Sequence, residues 1–190
     1  SNASLQCEAS GMSVLRADVR QMPPVLENGA FLAGLTPTQV FRYFMSDAAA
    51  LFRFVYHCQV DEYDVRCEPW HEEAGVGRVR TLRYVKRALE GPPFMPPECR
   101  VVERQCYCLT PNCLILDSAV PHDGLPYSSQ YESLSRWVFT ADPDGRGSEV
   151  QVYHRCGWAC ECWEQAAVER FVNAVAVARV RAWYALVTDC

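Results

Sequence analysis

Lysine is almost missing from this chain of 190 residues, because Lys86 is the only lysine among 18 basic residues. The 23 acidic side chains leave a formal net charge of −5 at pH 7. A nucleic-acid-binding protein needs a basic surface, so this balance argues against nucleic acid as a partner. It also disfavours adsorption to anionic lipid by charge alone. We interpret the scarcity of lysine as a compositional bias rather than as a phosphate-binding strategy.

Long hydrophobic runs are also missing. No apolar run approaches the roughly 20 residues that cross a bilayer, and no signal peptide is visible. Ser1-Asn2-Ala3 resembles the remnant of a cleaved expression tag, and residues 1–24 are expected to be this remnant and a loosely ordered extension. Residues 25–190 are expected to form one domain.

The 11 cysteines do not indicate a disulfide framework, because their number is odd and their spacing is irregular. Disulfide-dense frameworks belong to small secreted domains without a sufficient core. We therefore expect mostly free thiols and a cytoplasmic location, which includes the cytosolic face of a membrane-anchored parent protein. The domain is expected to be a monomer.

Sequence signatures of catalysis are missing as well. There is no Gly-x-Ser-x-Gly elbow and no phosphate loop, and His71 lacks the second histidine of a His-Glu-x-x-His zinc site. His57 and Cys58 are adjacent on a predicted helix and point about 100° apart, so they do not face each other. Glu103 and Glu132 lie on predicted strands, where they are expected to face solvent or pair with arginine rather than act as acid–base groups.

The cysteine spacing gives only a weak indication of a metal site. Cys106-x-Cys108 and Cys160-x-Cys162 lie in a chain that also has Cys156 and His154. Structural zinc sites usually contain Cys-x2–4-Cys pairs, and two pairs would have to converge in space. Buried thiols are the simpler interpretation, so neither a metal nor a cofactor is expected.

What the chain does contain is a regular series of strands and turns. A first strand is predicted at residues 25–33, Thr36-Pro37 is typical of a helix start, and Asp47 is expected to cap a second short helix. Six further strands are predicted between turn-forming residues, at 59–66, 76–87, 98–109, 113–120, 131–140 and 149–158. Their short connections indicate antiparallel neighbours.

The clearest pattern is a long helix at residues 163–187. Its apolar residues recur at spacings of three and four, at Val168, Phe171, Val175, Ala178, Ala182 and Leu186. It is the one long element available to cover the sheet, and its short side chains leave space beneath it. The sequence therefore predicts an α+β fold in which an antiparallel sheet of about seven strands and a C-terminal helix enclose a cavity.

Several short stretches occur in a characteristic order, namely Glu68-Pro69-Trp70, residues 75–84, residues 92–98 followed by Val101, Glu103 and Gln105, then Leu125-Pro126-Tyr127, residues 131–137, and Trp163 with Val168-Glu169. Over residues 25–187 the chain resembles a VASt domain, the START-like helix-grip module of the Aster and Lam/Ysp sterol transporters and of related plant proteins. The resemblance implies a strand, two short helices, six strands and a long C-terminal helix. It also implies that a sterol is held between sheet and helix, without catalysis and without a metal.

The cavity lining is expected to come from three parts of the fold. The expected residues are Phe171, Val175 and Ala178 on the helix, Leu82, Tyr84, Leu116 and Tyr131 on strands, and Phe44, Phe52 and Tyr56 on the short helices. The proline-rich loop at 91–97 presents Phe94 and Met95, which are expected to form a lid or to touch a membrane transiently. The alternative is a rigid connection with Phe94 folded onto the core.

These observations predict non-catalytic binding of a sterol or similar hydrophobic lipid, with transfer between membranes or sensing as the outcome. One alternative is a helix-grip enzyme of the cyclase or hydrolase kind acting on a small hydrophobic substrate. A polar cavity that holds Glu103 or Glu132 beside a histidine or tyrosine would favour it. Another is a regulatory module that binds a protein and whose cavity has collapsed. A fully packed core is the general alternative for any apolar face.

Overall fold

A computed structural model describes residues 22–87, 96–121, 130–161 and 163–189. In these residues the strands and helices are, in chain order, β1 (Ala30–Ala33), α1 (Pro37–Val40), α2 (Ala50–Gln59), β2 (Glu62–Cys67), β3 (His71–Glu73), β4 (Gly77–Arg87), β5 (Glu98–Leu109), β6 (Cys113–Pro121), β7 (Tyr131–Ala141), β8 (Gly147–Trp158) and α3 (Gln165–Thr188). The eight described strands form one antiparallel sheet in the order β1-β8-β7-β6-β5-β4-β2, with β3 also paired to β4. The predicted α+β architecture is confirmed.

The start of α1 follows the predicted helix signal. The Gln39 backbone N–H donates to Thr36 Oγ1 at 3.3 Å, and the Thr36 N–H donates to Gln39 Oε1 at 2.9 Å. This reciprocal capping satisfies two backbone donors that the helix itself leaves open. Pro37 occupies the first turn, where its missing N–H has no cost. A π turn at Phe41–Met45 and a 3-10 turn at Asp47–Ala49 then lead into α2.

Asp47 does not cap α2, contrary to the prediction. The N-cap of α2 is Ala49, which makes no side-chain capping bond. The Asp47 carboxylate instead accepts the backbone N–H of Trp70 at 3.2 Å. It therefore ties the turn before α2 to the segment between β2 and β3.

Two strand boundaries differ from the prediction, and one strand was missed. The strand predicted at 59–66 begins at Glu62, because α2 continues through Gln59. The first strand, predicted at 25–33, is β1 at Ala30–Ala33. The additional strand β3 pairs with the start of β4 across a turn in which Gly75 has a φ of +76°. Glycine adopts this backbone conformation without the steric cost of a Cβ atom.

The edge strand β1 lies against β8, in part because of a glycine. Ala33 pairs with Gly147, whose φ is +156°. A Cβ atom at Gly147 would lie 2.0 Å from the carbonyl oxygen of Leu32. The close approach of the two strands therefore requires glycine at this position.

The end of the N-terminal extension is attached to the sheet. Met22 is buried against Ala119 and Leu134, and the His154 N–H donates to the Pro23 carbonyl at 3.2 Å. Residues 22–24 are thus held by β8 and its neighbours. Residues 1–21, which contain the rest of the predicted extension, lie outside the described part.

The helix α3 covers one face of the sheet and buries Trp183 in a group of aromatic rings. The Trp183 ring centroid lies 5.1 Å from that of Trp137, 5.7 Å from Phe139 and 5.9 Å from Phe44. The buried residues of α3 are Val168, Val172, Val180, Trp183 and Val187. Of the apolar stripe predicted from the sequence, Val168 is buried, while Phe171, Val175, Ala182 and Leu186 are partly buried. The prediction left out Trp183, whose indole buries more apolar area than the smaller side chains beside it. None of the described helices is both long enough and apolar enough to cross a membrane.

Candidate functional site

A cavity of about 510 Å³ lies between α3 and the covered face of the sheet. Most of its lining is apolar. Nine of the ten residues expected to line such a cavity do line this one: Phe44, Phe52, Tyr56, Leu82, Tyr84, Leu116, Phe171, Val175 and Ala178. Ala178 is exposed and lies at the rim. The apolar surfaces of sheet and helix therefore do not close into a solid core at this position.

Tyr131, the tenth expected residue, is not part of the lining. Its ring centroid lies 4.9 Å from that of Trp158, and it packs in one buried cluster with Val168 and Val172. Tyr131 is the first residue of β7, where the start of α3 covers the sheet and fills the space. Phe94 and Met95, expected in a lid or membrane-touching loop, lie outside the described residues.

A row of polar side chains crosses the floor of the cavity. The strand registers place five lining residues side by side on neighbouring strands, in the order Arg80, Gln105, Ser118, Ser135 and His154. Arg80 Nε donates to Gln105 Oε1 at 2.8 Å, and the two serine hydroxyls are 2.9 Å apart. His154 Nδ1 lies 2.9 Å from Asn173 Oδ1 on α3. The cavity is therefore an apolar chamber with a polar row.

Arg179, in the middle of α3, is the centre of a buried charged cluster. Its Nη1 lies 3.0 Å from Glu62 Oε1 and donates to the Tyr84 hydroxyl at 2.8 Å. Its Nη2 lies 3.6 Å from Glu103 Oε2, and its Nε donates to the Tyr56 hydroxyl at 3.3 Å. Burial alone would lower the pKa of Arg179, but Glu62 and the other partners raise it well above the usual value. The guanidinium is therefore permanently charged and links α3 to β2, β4, β5 and α2.

Glu62 is an ionised carboxylate in this cluster. Its Oε2 lies 2.6 Å from His57 Nδ1, while its Oε1 accepts no hydrogen bond from a described residue and is held by the charge of Arg179. Burial pushes the pKa of Glu62 up, but Arg179 and His57 together bring it below the usual value. A carboxylate stabilised in this way is a weak proton acceptor.

Glu103 and Tyr84 complete the cluster. The Tyr84 hydroxyl donates to Glu103 Oε2 at 3.0 Å, and Gln105 Nε2 donates to Glu103 Oε1 at 2.6 Å. Burial raises the pKa of Tyr84 well above its usual value, so this phenol is neutral at physiological pH. Glu103 was expected to face solvent or pair with arginine, and it is buried beside Arg179.

Two further cations on β4 line the cavity, and neither forms an ion pair with a carboxylate of the described residues. Arg80 is 3% exposed, donates from Nη1 to the Met45 carbonyl at 2.9 Å, and lies 4.2 Å from the centre of the Trp70 ring. Burial lowers its pKa to about 10. Lys86 is partly buried, and among the described residues it has neither a hydrogen bond nor an ion pair. Burial lowers the pKa of Lys86 to about 8.

Glu132, the second carboxylate considered from the sequence as an acid–base group, lies outside the cavity lining. Glu132 and Ser133 are neighbours on β7, and Ser133 lines the cavity while Glu132 does not. Successive side chains of a strand point to opposite faces, so Glu132 lies on the other face of the sheet. Within the described ranges, no group of three or more His, Cys, Asp or Glu side chains is placed to hold a metal ion.

Sequence reasoning missed Arg179, although a signal for it is present. It is the one charged residue in the stretch from Asn173 to Val180, which otherwise consists of alanine and valine after Asn173. A charge in such a stretch of a helix that covers a sheet indicates a buried partner of opposite sign. The partners themselves are far away in the sequence, since Arg179 and Tyr84 are 95 residues apart.

Comparison with known families agrees with this geometry. The sequence model of VASt, the VAD1 Analog of StAR-related lipid transfer domain, matches residues 33–174. This match runs from the end of β1 into α3 and includes most of the cavity. A comparison with curated proteins gave no match. The chain belongs to the VASt family, whose START-like domains are lipid-binding rather than catalytic.

Proposed function

We propose that this protein binds a sterol or a similar hydrophobic lipid in the cavity beneath α3, without chemical change, and transfers or senses it. The observation that carries the proposal is the open, mostly apolar volume of about 510 Å³ in a chain of the VASt family. Burial of apolar ligand surface contributes about 25 cal/mol per Å². The nine lining residues predicted from the sequence supply part of that apolar surface.

The polar row would orient the ligand. Ligand sites are typically apolar with a few polar groups that fix the direction of binding. The hydroxyls of Ser118 and Ser135 use one hydrogen between them in their mutual bond, which leaves one O–H donor and further lone pairs. A ligand hydroxyl that reaches this row can therefore donate or accept a hydrogen bond, whereas most of the remaining lining is apolar.

The enzyme alternative has one observation in its favour. Glu103 lies beside Tyr84 in the cavity wall, which is an arrangement that an acid–base pair of a cyclase or hydrolase requires. Against it, the Tyr84 hydroxyl is held by Glu103 and Arg179, and Arg179 also lowers the pKa of Glu62. The regulatory alternative requires a collapsed cavity, and the volume beneath residues 171–183 is open.

Native mass spectrometry with a panel of sterols and phospholipids tests the proposal. We expect one lipid per protein chain and the same lipid mass before and after incubation. Val175→Trp should abolish binding because the indole would occupy the cavity, while Ala174→Trp, on the neighbouring exposed position, should bind as the wild type does. Failure to bind any lipid, or equal binding by Val175→Trp, would contradict the proposal. An altered ligand mass would favour the enzyme.

Transfer and sensing are separated by a second measurement. Movement of a bound fluorescent sterol from donor to acceptor vesicles, at a rate that depends on protein concentration, would support transfer. Tight binding without such movement would support sensing.

A further inference from the structure

The buried part of the cavity wall has more positive than negative charge. Three cations of β4 and α3 that are buried or partly buried line it, Arg80, Lys86 and Arg179, and two buried carboxylates accompany them, Glu103 in the lining and Glu62 behind it against Arg179. Both carboxylates contact Arg179. Arg80 and Lys86 are therefore left without a carboxylate partner among the described residues, in a protein whose overall charge is −5.

Arg80 and Lys86 differ in how well neighbouring groups of the protein stabilise their positive charge. Arg80 donates to Gln105 and to the Met45 carbonyl, and its guanidinium stacks on Trp70. Lys86 has no comparable acceptor or ring in the described part of the chain. An ammonium group that is partly removed from water without an acceptor costs free energy, and an anion that reaches it recovers part of that cost.

Lys86 lies where the cavity opens. Besides Ala178 on α3, the exposed residues of the described lining are Gln59, Asp61 and Arg87. The Arg87 N–H donates to the Asp61 carbonyl at 3.2 Å, so these residues form one rim. Lys86 is next to this rim, on the cavity side of β4.

The same strand leads from the rim into the chamber. Leu82 and Tyr84 share the cavity side of β4 with Lys86, and Arg80 lies six residues from Lys86, which is about 20 Å along an extended strand. An elongated hydrophobic ligand that enters along β4 would place its last polar group at Lys86.

We infer that the ligand of this cavity is a hydrophobic molecule with a terminal carboxylate, and that Lys86 Nζ donates a charge-assisted hydrogen bond to this carboxylate at the rim. The inference rests on the proposed function, because it requires that the cavity holds a lipid. A neutral sterol can offer the ammonium group at most a hydroxyl oxygen, which carries no opposite charge and makes the weaker hydrogen bond. A fatty acid and a sterol with an acidic side chain both have the required chemistry.

Matched pairs of ligands test the inference. One pair is a long-chain fatty acid and the primary alcohol of equal chain length, and the other is a sterol acid and the same sterol with a hydroxyl in place of the carboxylate. We expect the protein to bind the acid of at least one pair about tenfold or more tightly than the alcohol, as a charge-assisted hydrogen bond allows. The pair that shows the preference identifies the class of lipid.

Variants on β4 assign the preference to Lys86. Lys86→Met should bind acid and alcohol equally, while Lys86→Arg should keep the preference for the acid. Arg83→Met is the matched control, since Arg83 lies on the opposite, exposed face of the same strand and pairs with Glu68. A preference that survives in Lys86→Met, or that is lost in Arg83→Met, would overturn the assignment.

The single lysine permits a direct readout. Reductive methylation with ¹³C-formaldehyde labels Lys86 and the terminal amine alone, and a dimethylated amine keeps its charge. The pKa of Lys86 measured from this signal should rise when the acid binds and stay unchanged with the alcohol. Equal affinity for acid and alcohol with no change in this signal overturns the inference and leaves lipid binding intact, whereas failure of both ligands to bind overturns the proposed function itself.

Discussion

Arg179 on α3 lies 3.0 Å from Glu62, the first residue of β2, and this contact joins the C-terminal helix to an edge strand of the sheet. The same guanidinium reaches Glu103 on β5 at 3.6 Å. Van der Waals packing between α3 and the sheet is interrupted by the cavity. The charged contact therefore holds the helix at a position where apolar packing cannot.

Loss of Arg179 should be strongly destabilising. Arg179→Met would leave Glu62 and Glu103 buried without their cation, and removal of one partner of a buried ion pair typically costs about 3–5 kcal/mol. Urea denaturation at pH 7 measures this difference in the free energy of unfolding. Arg83→Met removes an exposed arginine paired with Glu68 and should cost less than about 1 kcal/mol. Equal losses in the two variants would show that the Arg179 contacts contribute no more than a surface pair.

Trp183 should be the most important apolar residue of α3. It is 6% exposed and contacts the rings of Phe44, Trp137 and Phe139. Trp183→Ala should lower the free energy of unfolding by about 3–5 kcal/mol, because it removes buried surface and enlarges a space that is already open. Chemical denaturation followed by circular dichroism measures this loss.

Trp163 provides the control for this substitution. Its side chain is 86% exposed just before α3. Trp163→Ala should change the stability by less than about 0.5 kcal/mol. If Trp183→Ala were as stable as Trp163→Ala, this would contradict the conclusion that Trp183 attaches α3 to the hydrophobic core.

The fold could be predicted from the sequence because its signals are local. Alternating strands between turn residues and a helix with a 3.6-residue period determine the type of each element. The predicted first and last residues of the strands and helices were less accurate. The segment before Glu62 contains no helix-breaking residue, so α2 extends through Gln59, into residues predicted as a strand.

The cavity-lining residues could be predicted only where the alternation of side chains along a strand is enough to identify them. Tyr131, Ser133 and Ser135 alternate along the cavity side of β7, yet Ser133 and Ser135 line the cavity and Tyr131 packs under Val168. Alternation gives the face of a strand but not the depth at which the covering helix closes the space. The charged cluster was missed for a different reason, because its members come from distant segments that meet only in the folded sheet.

The buried His154 should make stability depend on pH. Burial lowers the pKa of His154, Arg179 lowers it further, and the bond to Asn173 only partly opposes them. The unfolded chain therefore binds a proton near pH 6.5 while the folded protein does not, so stability falls as the pH drops below that value. The loss cannot exceed about 1.4 kcal/mol per pH unit for one group.

Unfolding by urea at pH 7.5 and pH 5.5 measures this dependence. His154→Gln should lose less stability than the wild type between the two pH values. His71→Gln is a suitable control, since His71 is exposed on β3. An identical pH dependence for His154→Gln and the wild type would show that His154 does not contribute.

Lys86 should lower the stability of the ligand-free protein. Burial lowers the pKa of its ammonium group from 10.5 to about 8. The folded state therefore holds this charge at a cost that is fully present below pH 8 and disappears as the pH rises past 10.5. Lys86→Met should be more stable than the wild type at pH 7, by about 1–2 kcal/mol because water still reaches part of the side chain.

Thermal and urea unfolding between pH 7 and pH 9.5 measure this effect. The difference between Lys86→Met and the wild type should shrink as the pH rises, because deprotonation removes the cost in the wild type. A Lys86→Met protein that is less stable than the wild type at pH 7, with a constant difference across this range, would show that the ammonium group already has a partner inside the protein. A higher stability of Lys86→Met at pH 7 would instead mean that the fold keeps a destabilising charge at the rim of its cavity. Residues that are retained for binding are often destabilising in this way.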